Sequence, residues 1–486
     1  MNVFDYFFDS IKDWEKPFIA NAKRRVTFNS LYQNSSRLAS FLSREVGSQQ
    51  NILLVSPNSE YFITVYLAIL KSGNVCIPLN QGTEQENLNY ILTQTESRII
   101  FSVPQLKLSE RVPDSVSVLE EKDVEQITTS ESPVETQPAF DPDRTAEIIF
   151  TSGSTGEPKG VMLSHGNIMA NTDSIIEYLK LGENDRMCVV LPFFYCYGLS
   201  LLHTHLRVGG SLVLNNSFIF LGSVLNDLKN YRCTGFAGVP SHFQILLKKS
   251  DSFKTTQFPD LRYVTQAGGK LHDVFVQEFV SAFPKVEFYI MYGQTEATAR
   301  LSYLPAEEIR RKPGSIGIPI PGVELKIIDS MGNPLPAEKE GELIARGKNI
   351  MKGYYRDEKE TSVTLKDGWL HTGDIAREDA DGYFYITARK KEIIKVGGKR
   401  VSPKEIEEVI LGLPEVIDCT ISAQEDPLLG ESIKASIVLD KNHDEEKMRE
   451  RITKHCSQHL ALYKIPQSIE FLKSMELSAT GKKIKQ

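Results

Sequence analysis

The chain of 486 residues lacks several features that would each assign it to a broad class of proteins. It has no net positive charge: the formal charge is −7, which argues against nucleic acid as the main partner, because phosphate-backbone binding needs a basic surface. No uninterrupted apolar run approaches the roughly 18 residues that a membrane-spanning helix requires. The first residues carry Asp5, Asp9 and Asp13 without a basic segment, so we expect no secretory signal peptide.

Cysteines are few and scattered. The chain has six, at positions 76, 188, 196, 233, 419 and 456, and none belongs to a CxxC pair or a His/Cys cluster. This spacing gives no zinc site and is typical of reduced thiols in a cytosol. We therefore expect a cytoplasmic protein. Its length also predicts more than one folded unit.

The pattern of apolar residues predicts an α/β fold for most of the chain. Strand-like runs such as NILLVS (51–56) alternate with helical stretches at 28–46 and 59–73, and the alternation returns near 211–246. It indicates largely parallel sheets with helices on their faces. The polar, proline-rich segment 128–143 is predicted to be a surface connection.

The pattern changes after about residue 318. VELKIIDSMGNPLP and KEGELIARG are β runs joined by Gly, Asn and Pro turns, which predict a small β-barrel-like unit. Beyond DGYFYIT, a helix-like SPKEIEEVILGL and the strand-like KASIVLD predict a small α+β domain. We therefore expect an N-terminal domain, 1–388, with two α/β subdomains and the β unit, followed by a C-terminal domain, 389–486.

One loop combines glycine, hydroxyl groups and a lysine. TSGSTGEPKG (151–160) directly follows the apolar run AEIIF. Glycine and hydroxyl residues at a strand end offer free backbone N–H groups and side-chain donors for phosphate, and Lys159 adds a mobile positive charge. The P-loop of nucleotide hydrolases does not fit, because Lys159 follows a proline and no Ser or Thr comes after it. A flexible surface turn is the structural alternative.

Eight segments, in order along the chain, resemble the motifs of the AMP-forming acyl-adenylating enzymes. This superfamily includes acyl- and aryl-CoA synthetases, adenylation domains of peptide synthetases and firefly luciferase. The segments are TSGSTGEPKGVMLSHGN (151–167), PFFYCYGLS (192–200), QAGGKL (266–271), MYGQTEAT (291–298), GELIARGKNIMKGYY (341–355), DGWLHTGDIA (367–376), ARKKEIIKVGGKRVSPKEIEEV (388–409) and ATGKKIK (479–485). The resemblance implies that a carboxylic acid reacts with ATP and Mg²⁺ to give an acyl adenylate, whose acyl group then passes to a thiol.

The resemblance also implies a nucleotide site. Tyr292 matches the residue that stacks on adenine, Thr295 a contact of the α-phosphate, and Glu296 the Mg²⁺ ligand. Asp374 matches the carboxylate that accepts both ribose hydroxyls, and Arg389 would contact ribose or phosphate. Taken singly, Tyr292 could be core, Asp374 a turn residue and Glu296 a solvated charge. The nucleotide-binding residues implied are Thr151, Ser152, Gly153, Ser154, Thr155, Gly156, Lys159, Gly269, Tyr292, Gly293, Asp374 and Arg389.

The C-terminal domain carries the rest of the implied mechanism. Lys482 matches the lysine that bridges the carboxylate and the α-phosphate during adenylation, although a lysine so placed would otherwise be interpreted as part of a cationic tail. Family members rotate this mobile domain between two poses, and Lys391 matches the hinge. In the second pose the KVGGKR strand, with Lys395, Gly397 and Gly398, would approach the adenylate while Lys482 withdraws.

The acid is expected to lack an α-ammonium group. Amino-acid-activating relatives carry an aspartate near PFFYCYGLS, whereas residues 191–206 contain no Asp or Glu, so an ammonium would be buried without a partner. Many acyl-CoA relatives have histidine where Tyr195 stands. The implied acyl pocket is mostly apolar and favours a fatty or aromatic acid, with ordinary core as the alternative for each wall residue. Its residues are Tyr195, Tyr197, Phe236, Val239, Pro240, Ala267 and Gly268.

The acceptor thiol is expected to be coenzyme A, with the phosphopantetheine arm of an acyl carrier protein as the alternative. Six cations within residues 389–400 suit ATP and a phosphorylated thiol carrier, with a merely solvated basic face as the alternative. Two other functions use the same site: a luciferase-like oxygenase, and a nucleotide-sensing protein without catalysis. Lys159, Glu296, Asp374 and Lys482 argue against the sensor, which would need no bridging lysine.

Overall fold

The structure, a computed structural model, confirms the α/β fold, with a large N-terminal domain and a small C-terminal domain that has a mixed sheet. Each domain has its own sheets, and helices cover them. The residues that the structure describes are 1–133, 140–151, 157–250, 252–390, 392–396, 399–426, 430–440, 443–478, 480–481 and 483.

Helices and strands follow one another throughout the described residues. The α-helices are α1 (Val3–Phe8), α2 (Phe28–Glu45), α3 (Glu60–Lys71), α4 (Gln85–Thr95), α5 (Glu121–Ser130), α6 (His165–Leu179), α7 (Cys196–Arg207), α8 (Leu221–Asn230), α9 (Pro240–Lys249), α10 (Asp273–Ala282), α11 (Glu358–Thr364), α12 (Pro403–Leu411) and α13 (Glu445–His459). The strands are β1 (Pro17–Ile19), β2 (Val26–Thr27), β3 (Asn51–Val55), β4 (Val75–Pro78), β5 (Ile99–Ser102), β6 (Ser117–Leu119), β7 (Thr145–Thr151), β8 (Lys159–Ser164), β9 (Arg186–Val189), β10 (Ser211–Leu214), β11 (Gly235–Gly238), β12 (Tyr263–Gln266), β13 (Glu287–Tyr292), β14 (Ser302–Leu304), β15 (Ile318–Pro319), β16 (Val323–Ile328), β17 (Gly341–Gly347), β18 (Gly353–Tyr354), β19 (Leu365–Lys366), β20 (Trp369–Glu378), β21 (Phe384–Arg389), β22 (Ile394–Val396), β23 (Lys399–Val401), β24 (Val416–Asp426), β25 (Gly430–Leu439) and β26 (Ser468–Leu472).

The largest sheet has nine strands in the order β15-β14-β13-β12-β11-β9-β10-β1-β2. The ladders that join β1, β10, β9, β11, β12 and β13 are parallel, whereas β2, β14 and β15 pair antiparallel at the edges. Val239 and Ala267 follow the last residues of β11 and β12, and Tyr292 is the last residue of β13. Because parallel strands end at the same edge of a sheet, these three predicted site residues lie along one edge.

A second sheet of the N-terminal domain has seven strands in the order β18-β8-β7-β4-β3-β5-β6. Its strands β7 and β8 are antiparallel, with Thr151 opposite Lys159, so the glycine-rich loop connects two adjacent strands. The following helix, α6, begins only at His165. β18 adds to the free side of β8 and places Tyr354 opposite Val161.

The expected β unit is a five-stranded antiparallel sheet. Its order is β16-β17-β20-β19, and β21 pairs with β20. No ladder among the described residues joins its outer strands into a closed barrel. The unit begins at Val323 rather than near residue 318, because Ile318–Pro319 pairs with β14 and belongs to the nine-stranded sheet. The β20–β21 ladder sets Asp374 opposite Arg389.

The C-terminal domain contains a sheet in the order β23-β22-β25-β24, with β26 parallel to β25, and the helices α12 and α13. The KVGGKR segment is not one strand, as predicted, but two short antiparallel strands, β22 and β23, because the chain reverses direction between Val396 and Lys399. β21 ends at Arg389 and β22 begins at Ile394; the domain boundary at 388/389 stays a prediction.

Local sequence explains several of the helix ends. The helix predicted at 28–46 is α2, Phe28–Glu45, and it begins with a capping box in which Thr27 and Ser30 each accept from the other's backbone N–H. The segment 128–143 is a connection only after Ser130, because its first residues complete α5. In the described part of the chain, no helix combines the length and the apolar character needed to cross a membrane.

The two domains meet at α9. The Ser241 hydroxyl donates to the carbonyl oxygen of Gly481 at 2.6 Å. Lys270, which follows the paired glycines 268 and 269, forms an ion pair with Glu408 of α12. A cavity of about 110 Å³ lies between α9 and the C-terminal sheet, and buried Gln244 is one of its lining residues.

Candidate active site

A buried carboxylate marks one end of the candidate site. Asp374 of β20 has a side chain that is 2% exposed. Its Oδ2 accepts a hydrogen bond from the Tyr292 hydroxyl at 2.6 Å, and its Oδ1 accepts one from Arg389 Nε at 2.8 Å. The end of β13 and two facing strands, β20 and β21, therefore join three predicted nucleotide-binding residues in one hydrogen-bonded group.

The protonation states of Tyr292 and Arg389 follow from their surroundings. Burial, followed by the nearby negative charge of Asp374, holds the pKa of Tyr292 well above its ordinary value. The charge of Asp374 likewise raises the pKa of Arg389. The phenol is therefore a donor and the guanidinium a cation at neutral pH, and each carboxylate oxygen keeps a lone pair for another donor.

A second cluster contains Glu296 and Lys159. The Tyr354 hydroxyl donates to Glu296 Oε1 at 2.8 Å, and the Tyr354 ring centroid lies 5.6 Å from Lys159 Nζ. Lys159 also forms a 2.8 Å ion pair with Glu360 of α11. Burial and then Glu296 raise the pKa of Tyr354, so its phenol stays a donor. The structure thus brings together two predicted residues that are far apart in sequence.

The turn after β13 connects the two clusters. It carries Thr295 and Glu296 on a short 3₁₀ helix, Thr295–Ala297. A Cβ atom on Gly293 would lie 2.1 Å from the carbonyl oxygen of Ala299, so only glycine fits there. The hydroxyl of buried Thr295 lies 3.6 Å from the Cys196 thiol at the start of α7. The close approach of Gly293 to the backbone of Ala299 therefore restricts the conformation of the turn.

The predicted acyl-pocket residues are only partly brought together. Tyr197, Val239 and Ala267 are buried in one apolar cluster, and Tyr195 packs against it. Phe236 belongs to another cluster and packs edge-on against Phe243 at 5.9 Å. Because side chains alternate along β11, Phe236 points to the face opposite Ala237, away from this pocket.

Tyr197 has an anchored hydroxyl rather than an open one. It donates to the Thr265 carbonyl oxygen at 2.9 Å, and burial raises the pKa of Tyr197 to about 12. The Arg300 guanidinium carbon lies 4.1 Å from the ring centroid. Because the hydroxyl is already hydrogen-bonded, it is the ring face of Tyr197 that Arg300 contacts.

The glycine pair and the start of α9 lie side by side. Gly268 has φ of +85°, a left-handed conformation that favours glycine. A Cβ on exposed Gly269 would lie 3.3 Å from Pro240 Cγ, the first residue of α9. A Cβ on Gly481 would lie 2.9 Å from Val239 Cγ2. The backbone next to Lys482 therefore touches a predicted pocket wall.

Several predicted residues lie outside the described residues: Ser152, Gly153, Ser154, Thr155, Gly156, Lys391, Gly397, Gly398 and Lys482. Thr151, Lys159, Lys395 and Gly481 lie within three positions of these residues and are described. Lys395 is exposed on β22, and its backbone N–H donates to the Glu431 carboxylate. Within the described residues, no group of three or more His, Cys, Asp or Glu side chains could hold a metal ion.

Sequence reasoning missed three residues at this site. Tyr354 and Glu360 contact Glu296 and Lys159, and Arg300 packs on Tyr197. Tyr354 lies inside the quoted segment GELIARGKNIMKGYY, and Arg300 follows MYGQTEAT by two residues. Both positions were visible in the sequence, but their partners come from other sheets and helices.

The chain is similar along nearly its whole length to proteins named as CoA ligases. It is 30% identical over 485 residues to an oxalate–CoA ligase of Arabidopsis thaliana, covering 95% of this chain and 92% of that protein. It is 30% identical to a sulfoacetate–CoA ligase of Cupriavidus necator, covering 96% and 93%. The solved structure of ATP-bound MatB from Rhodopseudomonas palustris matches with a TM-score of 0.90 at 26% identity, over 99% of this chain and 97% of that one. These similarities define an AMP-forming acid–thiol ligase.

Family profiles agree with this class. A profile described as "AMP-binding enzyme" matches residues 11–355, and one described as "AMP-binding enzyme C-terminal domain" matches residues 405–482. Because the first match alone covers more than half of the chain, the protein belongs to the AMP-binding enzyme family. The superfamily resemblance drawn from the eight motifs is confirmed.

Proposed function

We propose that this ligase uses two clusters, one on each side of the turn after β13, to hold ATP while a carboxylic acid attacks it. The observation that carries the proposal is that Asp374, Tyr292 and Arg389 form one cluster, while Glu296, Tyr354 and Lys159 form the other. The first suits a ribose and the second suits phosphates. A nucleotide lying across the turn would contact both.

The free lone pairs of Asp374 suit this residue to bind the ribose of ATP. Each oxygen accepts one donor from the protein and can accept one ribose hydroxyl. Tyr292, at the end of β13, would stack on adenine beside the backbone of Gly269. Arg389 stays charged and is half-exposed, so it can also reach a phosphate oxygen.

The phosphate end combines Thr151 and Lys159, on either side of the glycine-rich loop, with Glu296. Lys159 would exchange its ion pair with Glu360 for phosphate oxygens. Glu296 uses one oxygen for Tyr354 and keeps the other for a hard cation, which fits Mg²⁺ held by one carboxylate and substrate phosphates. When bound, Mg²⁺ would neutralise phosphate charge and the pyrophosphate leaving group.

The first step is an in-line displacement. A carboxylate oxygen of the acid attacks the α-phosphorus, the bond to the β-phosphate oxygen breaks, and pyrophosphate leaves. Thr295 would donate to an α-phosphate oxygen, and Lys482 would offset the charge of the carboxylate and α-phosphate. The Ser241–Gly481 hydrogen bond supports this role, because it holds the residue before Lys482 on the first turn of α9.

The second step would follow rotation of the C-terminal domain, from residue 389, about Lys391. The thiol sulfur attacks the acyl carbon, the bond to the phosphate oxygen breaks, AMP leaves, and the thiol proton is released. Lys395, Gly397 and Gly398 would line this approach. We propose coenzyme A as the acceptor, since the relatives described above are CoA ligases; a carrier protein is the alternative. A cytoplasmic location is supported by six buried cysteines, none of which forms a disulfide.

Separate assays of the two half-reactions test the proposal. Lys482→Ala is expected to lower acid-dependent ATP–pyrophosphate exchange by at least about 100-fold. The same variant should still convert a synthetic acyl adenylate and coenzyme A into thioester. Lys395→Ala should show the opposite pattern, because its lysine serves the second pose only.

Lys483→Ala is the matched control. Its ammonium pairs with Asp418 inside the C-terminal domain, so both half-reactions should stay within a few-fold of the wild type. Equal loss of both half-reactions in Lys482→Ala would contradict the two-pose mechanism. A thioester formed only with a phosphopantetheinyl carrier protein, and never with coenzyme A, would replace the acceptor proposed here.

A further inference from the structure

Arg300 is a buried cation without a carboxylate partner in the described part of the chain. Arg300 is 3% exposed to solvent. Nε donates to Met291 Sδ at 3.3 Å, and one terminal nitrogen donates to the Ala299 carbonyl oxygen at 3.1 Å. No described Asp or Glu oxygen lies within 4.0 Å of the guanidinium.

Two comparable cations in the described part of the chain are paired with carboxylates. Lys71, also almost fully buried, forms a 2.7 Å ion pair with Asp5. Arg262 stacks on Tyr263 much as Arg300 stacks on Tyr197, yet it pairs with Asp185 at 3.0 Å. A guanidinium stays charged in proteins, and burying it without a counter-charge is unfavourable. Arg300 therefore lacks the kind of anion that Lys71 and Arg262 have.

The position of Arg300 connects it to the acid. It stacks on Tyr197, the second residue of α7, whose first residue, Cys196, contacts Thr295. Tyr197 and Met291 both belong to the apolar cluster that includes Val239 and Ala267. The guanidinium therefore contacts Tyr197, one of the predicted wall residues of the acyl pocket.

We infer that the acid substrate carries a second anionic group, a carboxylate or a sulfonate, and that Arg300 binds it. The inference rests on the proposed function and names its substrate class. The reacting carboxylate lies near the α-phosphate, while the second oxyanion enters the apolar pocket and supplies the missing counter-charge. The relatives described above are named for oxalate and sulfoacetate, and each of these acids has a second acidic group.

This substrate class differs from the fatty or aromatic acid expected from the apolar wall residues. An unbranched fatty acid would bring only methylene groups to a buried guanidinium and leave it without an anion. A short diacid fills the same apolar volume along its carbon chain and ends in the complementary charge. Arg300 would then select the acid by its second charge, and the apolar walls would select it by the length of its carbon chain.

Matched acid pairs test the inference. ATP–pyrophosphate exchange is measured with succinate against butyrate, glutarate against valerate, and 3-sulfopropionate against butyrate. The wild type should prefer the dianionic member of at least one pair by 100-fold or more in kcat/KM. Arg300→Met should lose 100-fold or more on that dianion and change less than threefold on the monoanion, while Arg300→Lys should fall between.

Arg262→Met is the matched control, because it removes a stacked arginine outside the proposed site and should leave the ratio within each pair unchanged. Preference for the monoanion in every pair, or an equal loss on both members in Arg300→Met, would overturn the inference alone. If Arg300→Met does not fold, the wild-type ratios and Arg300→Lys decide. Absence of exchange with every acid would overturn the proposed function as well.

Discussion

Glu147 illustrates how strongly burial acts on a single side chain here. It lies on β7, is 1% exposed, and accepts a 2.8 Å hydrogen bond from the Tyr66 hydroxyl. The same hydroxyl lies 2.7 Å from His203 Nε2 on α7. Burial raises the pKa of Glu147 to about 7 and lowers that of His203 to about 3. A carboxyl group in the core therefore titrates near neutral pH.

Replacing Glu147 with glutamine should change how stability depends on pH. The folded chain keeps the proton up to about pH 7, whereas the ordinary pKa is 4.5, so folding favours the protonated form. Its stabilisation is complete below pH 4.5 and is lost as the pH rises through 7. Glu147→Gln should therefore gain about 3 kcal/mol in unfolding free energy relative to the wild type between pH 4.5 and pH 8. Urea denaturation at both pH values measures this.

The comparison isolates Glu147 because the groups around it, Tyr66, His203 and Cys76, are present in both proteins. His203 has a lowered pKa and destabilises the fold only as the pH falls below its ordinary range, in both proteins alike. Parallel stability profiles for variant and wild type would contradict the raised pKa of Glu147.

Individual residues were predictable where a motif determines chemistry. Asp374, Tyr292, Glu296 and Lys159 were all identified from short segments, and the structure groups them in two clusters. Arg300 was not identified, since its significance is that no carboxylate of the described residues lies near it. That absence depends on which elements pack around the residue, and spacing along the chain carries no such information.

At the scale of elements, Gly293 decides whether the turn after β13 can form. Gly293→Ala places a methyl group 2.1 Å from the Ala299 carbonyl oxygen, and the backbone must shift to accept it. We expect a loss of about 2–3 kcal/mol in unfolding free energy, together with loss of adenylation, because Thr295 and Glu296 move. Denaturation and pyrophosphate exchange measure the two effects.

Gly222→Ala is the control with the same chemical change. Gly222 lies in α8, and a Cβ there would meet no atom within 4 Å. The substitution should raise the unfolding free energy by about 0.5–1 kcal/mol, because alanine favours the helix. If the two variants lose stability equally, the close approach at Gly293 is not the cause.

Helices and strands were predicted well where a single hydrophobic period runs through the segment. They were predicted less well where the chain reverses direction within a short segment. The amphipathic stretch 28–46 matched α2, whereas KVGGKR, predicted as one strand, is split into β22 and β23. Phe236 shows another limit: an apolar run such as GFAGVP indicates a buried strand, but not which face contacts the pocket. In a parallel sheet with helices on both sides, both faces are apolar.

For the molecule as a whole, the contact between the domains contains an unbonded amide. Gln244 is 3% exposed, and neither its nitrogen nor its oxygen has a hydrogen-bond partner among the described residues. It lines the cavity of about 110 Å³ between α9 and the C-terminal sheet. The contact between the domains therefore covers a polar group for which the described residues offer no partner, and this weakens the contact.

Gln244→Leu should strengthen the contact between the domains. Removing an unsatisfied buried amide is expected to favour docking by about 1–3 kcal/mol. Hydrogen exchange of α9 amides should slow, and thioester formation from a synthetic adenylate should slow relative to adenylation, if that step requires the domains to separate.

Gln126→Leu, on the exposed face of α5, is the matched control and should leave both measurements unchanged. Unaltered exchange in Gln244→Leu would mean that water inside the cavity already satisfies the amide. This arrangement could not be predicted from the sequence, because the cost arises only where surfaces of two domains meet.

The burial of all six cysteines has a consequence for redox chemistry. Burial raises the pKa of Cys76 and Cys419 and brings that of Cys456 to about 11, so these sulfurs stay protonated at neutral pH. Only a thiolate exchanges with a disulfide, and it must be reachable. A ligase whose second substrate is a thiol meets oxidised forms of that substrate as well. All six sulfurs are buried, so mixed disulfides that would trap the enzyme are disfavoured.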